Sequence, residues 1–118
     1  MKAYMICPVR NVTPEFMEGI EAERISLVNQ GWDVYFPPYD TNQSGVSLEI
    51  CEQNLNAIKE ADAIFFTWDG QSQGCLFDLG IAFALHKDIV PITGRLPRMT
   101  NHKSFQNFVF EYNEQWKP

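Results

Sequence analysis

Four short apolar runs, at residues 3–7, 32–36, 63–67 and 89–92, are separated by stretches whose apolar residues recur at helical spacing. Strands that alternate with helices in this way pair in parallel, because each helix supplies the crossover that parallel neighbours need. The pattern therefore predicts a three-layer α/β fold with a mostly parallel sheet. Thr13-Pro14-Glu15 opens the first helix with a cap, a proline at the first helical position and an acid in the first turn. Phe16, Ile20, Leu27 and Val28 then keep one face until Gly31 closes the element. Pro37-Pro38 ends the second strand, and a polar loop runs to Gly45. Ser47 is placed to cap a helix with a Cys51, Leu55, Ile58 stripe that ends near residues 61–62. The helix at about residues 75–86 is apolar on most sides, which predicts that it is largely buried. Residues 95–104 read as a loop and residues 105–110 as a fifth strand.

A chain of 118 residues holds one domain with its own core, spanning residues 1–118. Its net charge of −6 argues against a nucleic-acid polymer as partner, since that binding needs clustered Lys and Arg. A single arginine can still hold one phosphate group. Cys7, Cys51 and Cys75 have no zinc-site spacing, so no metal is expected. Their odd number, without an export signal, leads to the expectation of free thiols in a reducing cytoplasm. No apolar run approaches the ~20 residues that span a bilayer, so no membrane partner is expected.

The stretch that points to chemistry is Asp69-Gly-Gln-Ser-Gln-Gly-Cys-Leu-Phe-Asp78-Leu-Gly80, directly after the third apolar run. It reads as a strand, a polar loop and a helix start. Ligands of open α/β sheets bind at that junction, beyond the carboxyl ends of the strands. Exposed amides at a helix start favour an anion, and Asp78 lies nearby as a charged group in an apolar segment. The loop after the first strand, Cys7-Pro-Val-Arg-Asn11, lacks both an acidic pair and a hydroxyl-rich phosphate loop. No P-loop or dinucleotide fingerprint occurs. What remains is a carboxylate-centred pocket with Arg10 beside it. Trp68 is placed to touch a ligand there, while Ser72 also suits a turn or a helix entry.

Tyr4 and Arg10, then Asn54-Leu-Asn-Ala-Ile-Lys-Glu-Ala-Asp62, then Ser72-x-Gly74-x-x-x-Asp78-x-Gly80-x-Ala82, resemble the nucleoside 2-deoxyribosyltransferase superfamily over roughly the first 90 residues. That superfamily includes the nucleoside 5′-monophosphate N-glycosidases. The resemblance implies a flavodoxin-like sheet of five strands, assembly as a homodimer or larger homo-oligomer, and a nucleoside or nucleotide as small-molecule partner without a cofactor. It implies that Asp78 attacks the anomeric carbon of the sugar, that Tyr4 orients it and that Asn54 faces the base. Arg10, Ser72 and Gly74 would hold the 5′ end, with Ser104 of a neighbouring subunit adding a contact.

Two departures stand out. The family nucleophile is a glutamate, and aspartate is shorter by roughly 1.5 Å, about one C–C bond. Many members carry a proton-donating aspartate where this chain has Asn54, which can hydrogen-bond a base edge but is no proton donor; Asp40 or Asp69, each just past a strand end, is the candidate to substitute in that role. Transfer between bases, hydrolysis of a 5′-monophosphate and non-catalytic nucleotide sensing all stay open at this point.

Overall fold

The apolar runs form the strands of one sheet in a computed structural model that describes residues 1–115. The elements are β1 (Lys2–Ile6), α1 (Pro14–Asn29), β2 (Asp33–Tyr35), α2 (Pro37–Asp40), α3 (Ser47–Glu60), β3 (Ala63–Phe66), α4 (Gln73–Ala84), β4 (Ile89–Pro91) and α5 (Phe105–Gln115). The strand order is β2-β1-β3-β4 and every pairing is parallel. This is the flavodoxin-like order, in which connections leave β1 on one side and β3 on the other.

Both faces of the sheet are buried, which is why its strands are apolar at successive positions. Ala3, Met5, Cys7, Ala63 and Phe65 face α1, meeting Ile20 and Leu27. Tyr4, Ile6, Ile64, Phe66 and Ile89 face the other way, against Ile58 of α3, Leu79 and Ala82 of α4 and Val109 of α5. Ile20 and Ile58 are fully buried, each contributing about 1.5–3 kcal/mol.

Local signals act as expected at the ends of α1. Thr13 Oγ1 accepts from the Phe16 amide at 3.2 Å. At the other end Gly31 takes φ +100°, a conformation open to glycine, so that its amide reaches Val28 O and the Trp32 amide reaches Leu27 O. For α3 the cap position is Val46, without a side-chain hydrogen bond, and Ser47 is the first helical residue instead. Helix α4 starts at Gln73, because Ser72 Oγ accepts from the Cys75 amide at 3.3 Å.

Residues 105–110 do not form a fifth strand: they begin α5, and the described residues hold a four-stranded sheet. Phe105, Phe108, Val109 and Tyr112 recur at three and four, a helical spacing that outweighs the β-propensity of Phe and Val. Ser104 Oγ accepts from the Asn107 amide and starts the helix. Alongside β4, Tyr112 donates to Lys87 O at 2.8 Å and Asn113 Nδ2 donates to Ile89 O at 3.0 Å.

Helix α4 is also less enclosed than its composition predicts. Cys75, Asp78, Leu79 and Ala82 are buried, whereas Phe77 is 57% and Phe83 46% exposed. Phe77, Gly80 and Ala84 form an uncharged outer stripe that no other part of the described chain covers. Among the described residues, no helix is long and apolar enough to cross a membrane.

Candidate active site

The loops that leave β1, β2 and β3 at their carboxyl ends surround a cavity of about 550 Å³. Its wall takes Arg10 and Asn11 from the first connection, Pro37 and Gln43 from the second, and Gln71 and Ser72, with Gln73 and Gly74 of the first turn of α4, from the third. Helix α3 adds Ile50, Cys51 and Asn54, and α4 adds Phe77 and Asp78. Asp78 is the one acid and Arg10 the one cation in this lining. Asn11 holds φ +57°, the left-handed region that Asn tolerates better than most residues.

Asp78 lies one turn into α4, with its side chain turned toward the sheet and only 8% exposed. Tyr4, wholly buried on β1, donates its hydroxyl to Asp78 Oδ2 at 2.7 Å. Burial pushes the Asp78 carboxyl up from 3.8 to about 6, and the Tyr4 hydrogen bond pulls the other way. Burial and then the Asp78 carboxylate hold the Tyr4 hydroxyl far above its usual range, so it stays a proton donor. Tyr4→Phe removes that donor without opening a cavity. The Asp78 titration is then expected to move upward from about 6, read from the carboxyl carbon resonance. An unchanged midpoint would contradict the role of the hydrogen bond.

On α3, Asn54 Oδ1 accepts from Thr41 Oγ1 at 2.7 Å. Thr41 Oγ1 also lies 2.8 Å from the Tyr35 hydroxyl. Arg10 is exposed, donates to Gln43 O at 3.4 Å, and forms no ion pair among the described residues, with Glu15 or any other acid. The arrangement places a recessed carboxylate, an amide and a guanidinium around one space. A small polar ligand with an anionic end fits that set.

A family model described as nucleoside 2-deoxyribosyltransferase matches residues 10–111. The chain belongs to the nucleoside 2-deoxyribosyltransferase family. The match reaches well into the tail, beyond the first 90 residues that hold the motifs, and it starts after Tyr4. Among solved structures, a 2-deoxyribosyltransferase from the psychrotolerant bacterium Bacillus psychrosaccharolyticus is similar, with a TM-score of 0.70 and 19% identity over 87% of this chain and 77% of that one. The CMP N-glycosidase BcmB of Clostridium botulinum is similar with a TM-score of 0.60 and 19% identity, over 94% of this chain and 81% of that one. At such identities the likeness is one of fold. No curated protein sequence matches the chain.

In this deoxyribosyltransferase-family chain the cavity brings together Asp78, Asn54, Arg10, Ser72 and Gly74, with Tyr4 directly behind Asp78. Asp40, Asp69 and Trp68 do not line it. Asp40 Oδ2 accepts from the Phe36 amide at 2.7 Å and faces a separate cavity beside Lys2 and Glu60. Asp69 Oδ1 accepts from the Gln71 and Ser72 amides, which shapes the loop before α4. Trp68 is 9% exposed, donates to Ser72 O and packs edge-on against Phe105. Backbone demands therefore occupy both acids that were expected to compensate for Asn54.

Burial raises the Cys7 thiol and pushes Cys75 up to about 12, so neither is a thiolate near neutrality. Sequence reasoning missed Gln43, Phe77, Thr41 and Tyr35. Phe77 adjoins Asp78 and was open to notice; the other three sit on a loop and a short strand whose path no motif encodes.

Proposed function

We propose that this chain breaks or exchanges the N-glycosidic bond of a nucleoside or its 5′-monophosphate, with Asp78 as nucleophile. The observation that carries the reading is the recessed Asp78 carboxylate, aimed by Tyr4 and opening on a cavity that holds no other acid. An oxocarbenium-like transition state needs such an anion close to the anomeric carbon. Asp78 Oδ1 forms the new C–O bond while the C–N bond breaks, and the base leaves with the electron pair. A second base, or water, then attacks the same carbon, and Asp78 departs as carboxylate. The reaction as written uses no cofactor.

Arg10 supports a phosphorylated substrate, since its guanidinium makes one long hydrogen bond to Gln43 O and no ion pair among the described residues, which leaves donors for a 5′-phosphate at the cavity wall. Ser72 and Gly74 stand beside it at the start of α4. A panel of nucleosides and 5′-monophosphates, with and without an acceptor base, tests the reading through chromatography of the released base. Free sugar phosphate without an acceptor marks hydrolysis, and a new nucleotide with one marks exchange. Binding without release from any substrate would overturn the catalytic reading.

We place a second copy of the chain on the outer stripe of α4, because that stripe is uncharged and continues from Phe77 in the cavity wall. Gly80 sits in its middle, and a side chain there meets nothing within its own chain. Gly80→Arg is therefore expected to shift sedimentation from dimer to monomer while the melting temperature holds. A wild type that sediments as monomer would remove this element. The free thiols Cys7, Cys51 and Cys75 fit the expected cytoplasmic setting.

A further inference from the structure

Two tyrosines on neighbouring strands begin two separate hydrogen-bond lines into the cavity. Tyr4 and Tyr35 are register partners on β1 and β2, and their rings stack at 5.4 Å with planes 10° apart. Tyr4 ends on the Asp78 carboxylate. Tyr35 ends, through Thr41, on the Asn54 amide. Thr41 is 4% exposed, so its hydroxyl must find its partners inside the protein.

The direction of the second line follows from counting protons. Thr41 has one hydroxyl proton, which goes to Asn54 Oδ1, so Thr41 Oγ1 receives the proton of Tyr35. Each hydroxyl proton then has an acceptor. Run backwards, the line leaves the Tyr35 proton without one among the described residues. With Oδ1 held by Thr41, the NH₂ group is what Asn54 has left to offer as a donor, and Asn54 lines the same cavity as Asp78.

We infer that Tyr35 and Thr41 are positioning residues that hold Asn54 as a fixed hydrogen-bond donor to the departing base. This rests on the N-glycosidic reaction proposed above and names how its leaving group is handled. A base that departs with the electron pair gains negative charge on the acceptor beside its glycosidic nitrogen, the 2-oxo group of a pyrimidine or N3 of a purine. A fixed NH₂ donor stabilises that charge more in the transition state than in the ground state, as oxyanion donors do. No proton moves from Asn54, and the base takes its proton from solvent after departure. The substrate class is thus a nucleotide whose base carries such an acceptor.

The test compares Thr41→Val with Thr41→Ser and Tyr35→Phe on uridine 5′-monophosphate and its 5-fluoro analogue, whose base leaves more readily. Thr41→Val is expected to lower kcat for the poorer leaving group by roughly 10- to 100-fold, the range for a hydrogen bond to a charge, with KM changed less than about threefold. The loss should be clearly smaller for the fluoro analogue. Thr41→Ser should restore the rate, and Tyr35→Phe should fall between. Equal losses on both substrates, or no loss, would overturn the inference while leaving the reaction intact.

A second readout needs no turnover. The Asn54 side-chain amide resonance of the wild-type protein should move when a free base or nucleotide is added, and should move less in Thr41→Val, or in Tyr35→Phe if the valine variant does not fold. If no substrate is cleaved but that shift is present, the reaction fails and the fixed donor stands. If the wild-type amide resonance does not respond to ligand, the donor assignment is wrong.

Discussion

Asp78→Asn is expected to abolish base release and, at the same time, to make the fold more stable. The first half follows from chemistry, because an amide does not form the glycosyl ester; losses on the order of 10⁴-fold or more in kcat accompany removal of a nucleophile. The second half follows from burial. A carboxyl group raised from 3.8 to about 6 binds its proton more tightly in the folded chain than in the unfolded one. Stability from this group is therefore full below pH 3.8, falls as pH rises toward about 6, and stays lost above that. The loss amounts to about 3 kcal/mol at neutral pH. Asparagine has no charge to bury and can still accept from Tyr4. Thermal melts at pH 8 should place the variant roughly 10–12 °C above wild type, and melts near pH 3.5 should bring the two together. A variant that retains activity, or that melts with or below wild type at pH 8, would sink the assignment of Asp78 as a buried, charged nucleophile. In the wild type, activity should rise with pH through about 6 as the carboxylate forms.

Arg10→Ala is expected to weaken kcat/KM for 5′-monophosphates by roughly 10- to 100-fold, corresponding to about 1.5–3 kcal/mol for hydrogen bonds to a charged group. Unphosphorylated nucleosides should change by no more than about twofold. The asymmetry is the point, since Arg10 is the single cation of the cavity lining and has no hydrogen bond to Asp78 or Tyr4. Because the guanidinium is exposed, the effect should shrink as salt rises. Arg10→Lys should restore part of the loss, as a point charge without the paired donors. Equal losses on both substrate types would assign Arg10 to the shape of the loop, and no loss on either would place the phosphate elsewhere.

The order of strands and helices was legible because each element carries its own short-range signal. Thr13 with Pro14, and Gly31, mark the ends of α1 through bonds within a few residues. The position of the cavity followed from that order, since parallel strands bring their carboxyl ends together. The Tyr4–Asp78 pair, 74 residues apart, was reachable only through family resemblance. The Thr41–Asn54 bond left no trace, because it depends on how the turn at Pro37–Asp40 aims the loop after it. Asp40 and Asp69 misled for a related reason: a carboxylate beside a strand end looks available until the nearby amides that it must satisfy are known. The exposure of α4 was hidden because an apolar face reads alike whether its own chain or another covers it.

The contacts of α5 with β4 have a consequence for the life of the unfolded and truncated chain. At β4, Asp88 O accepts from the Ile64 amide of β3 and the Ile92 amide donates to Phe66 O of β3, so the alternate carbonyls Lys87 O and Ile89 O point to the outside of the sheet. Tyr112 and Asn113 occupy both of these outward acceptors. An open, apolar edge of that kind is a template on which another strand can grow. Helix α5 is thus a guard against fibril seeding as much as a part of the core, and a ribosome that stalls before residue 105 would release a sheet with one sticky side.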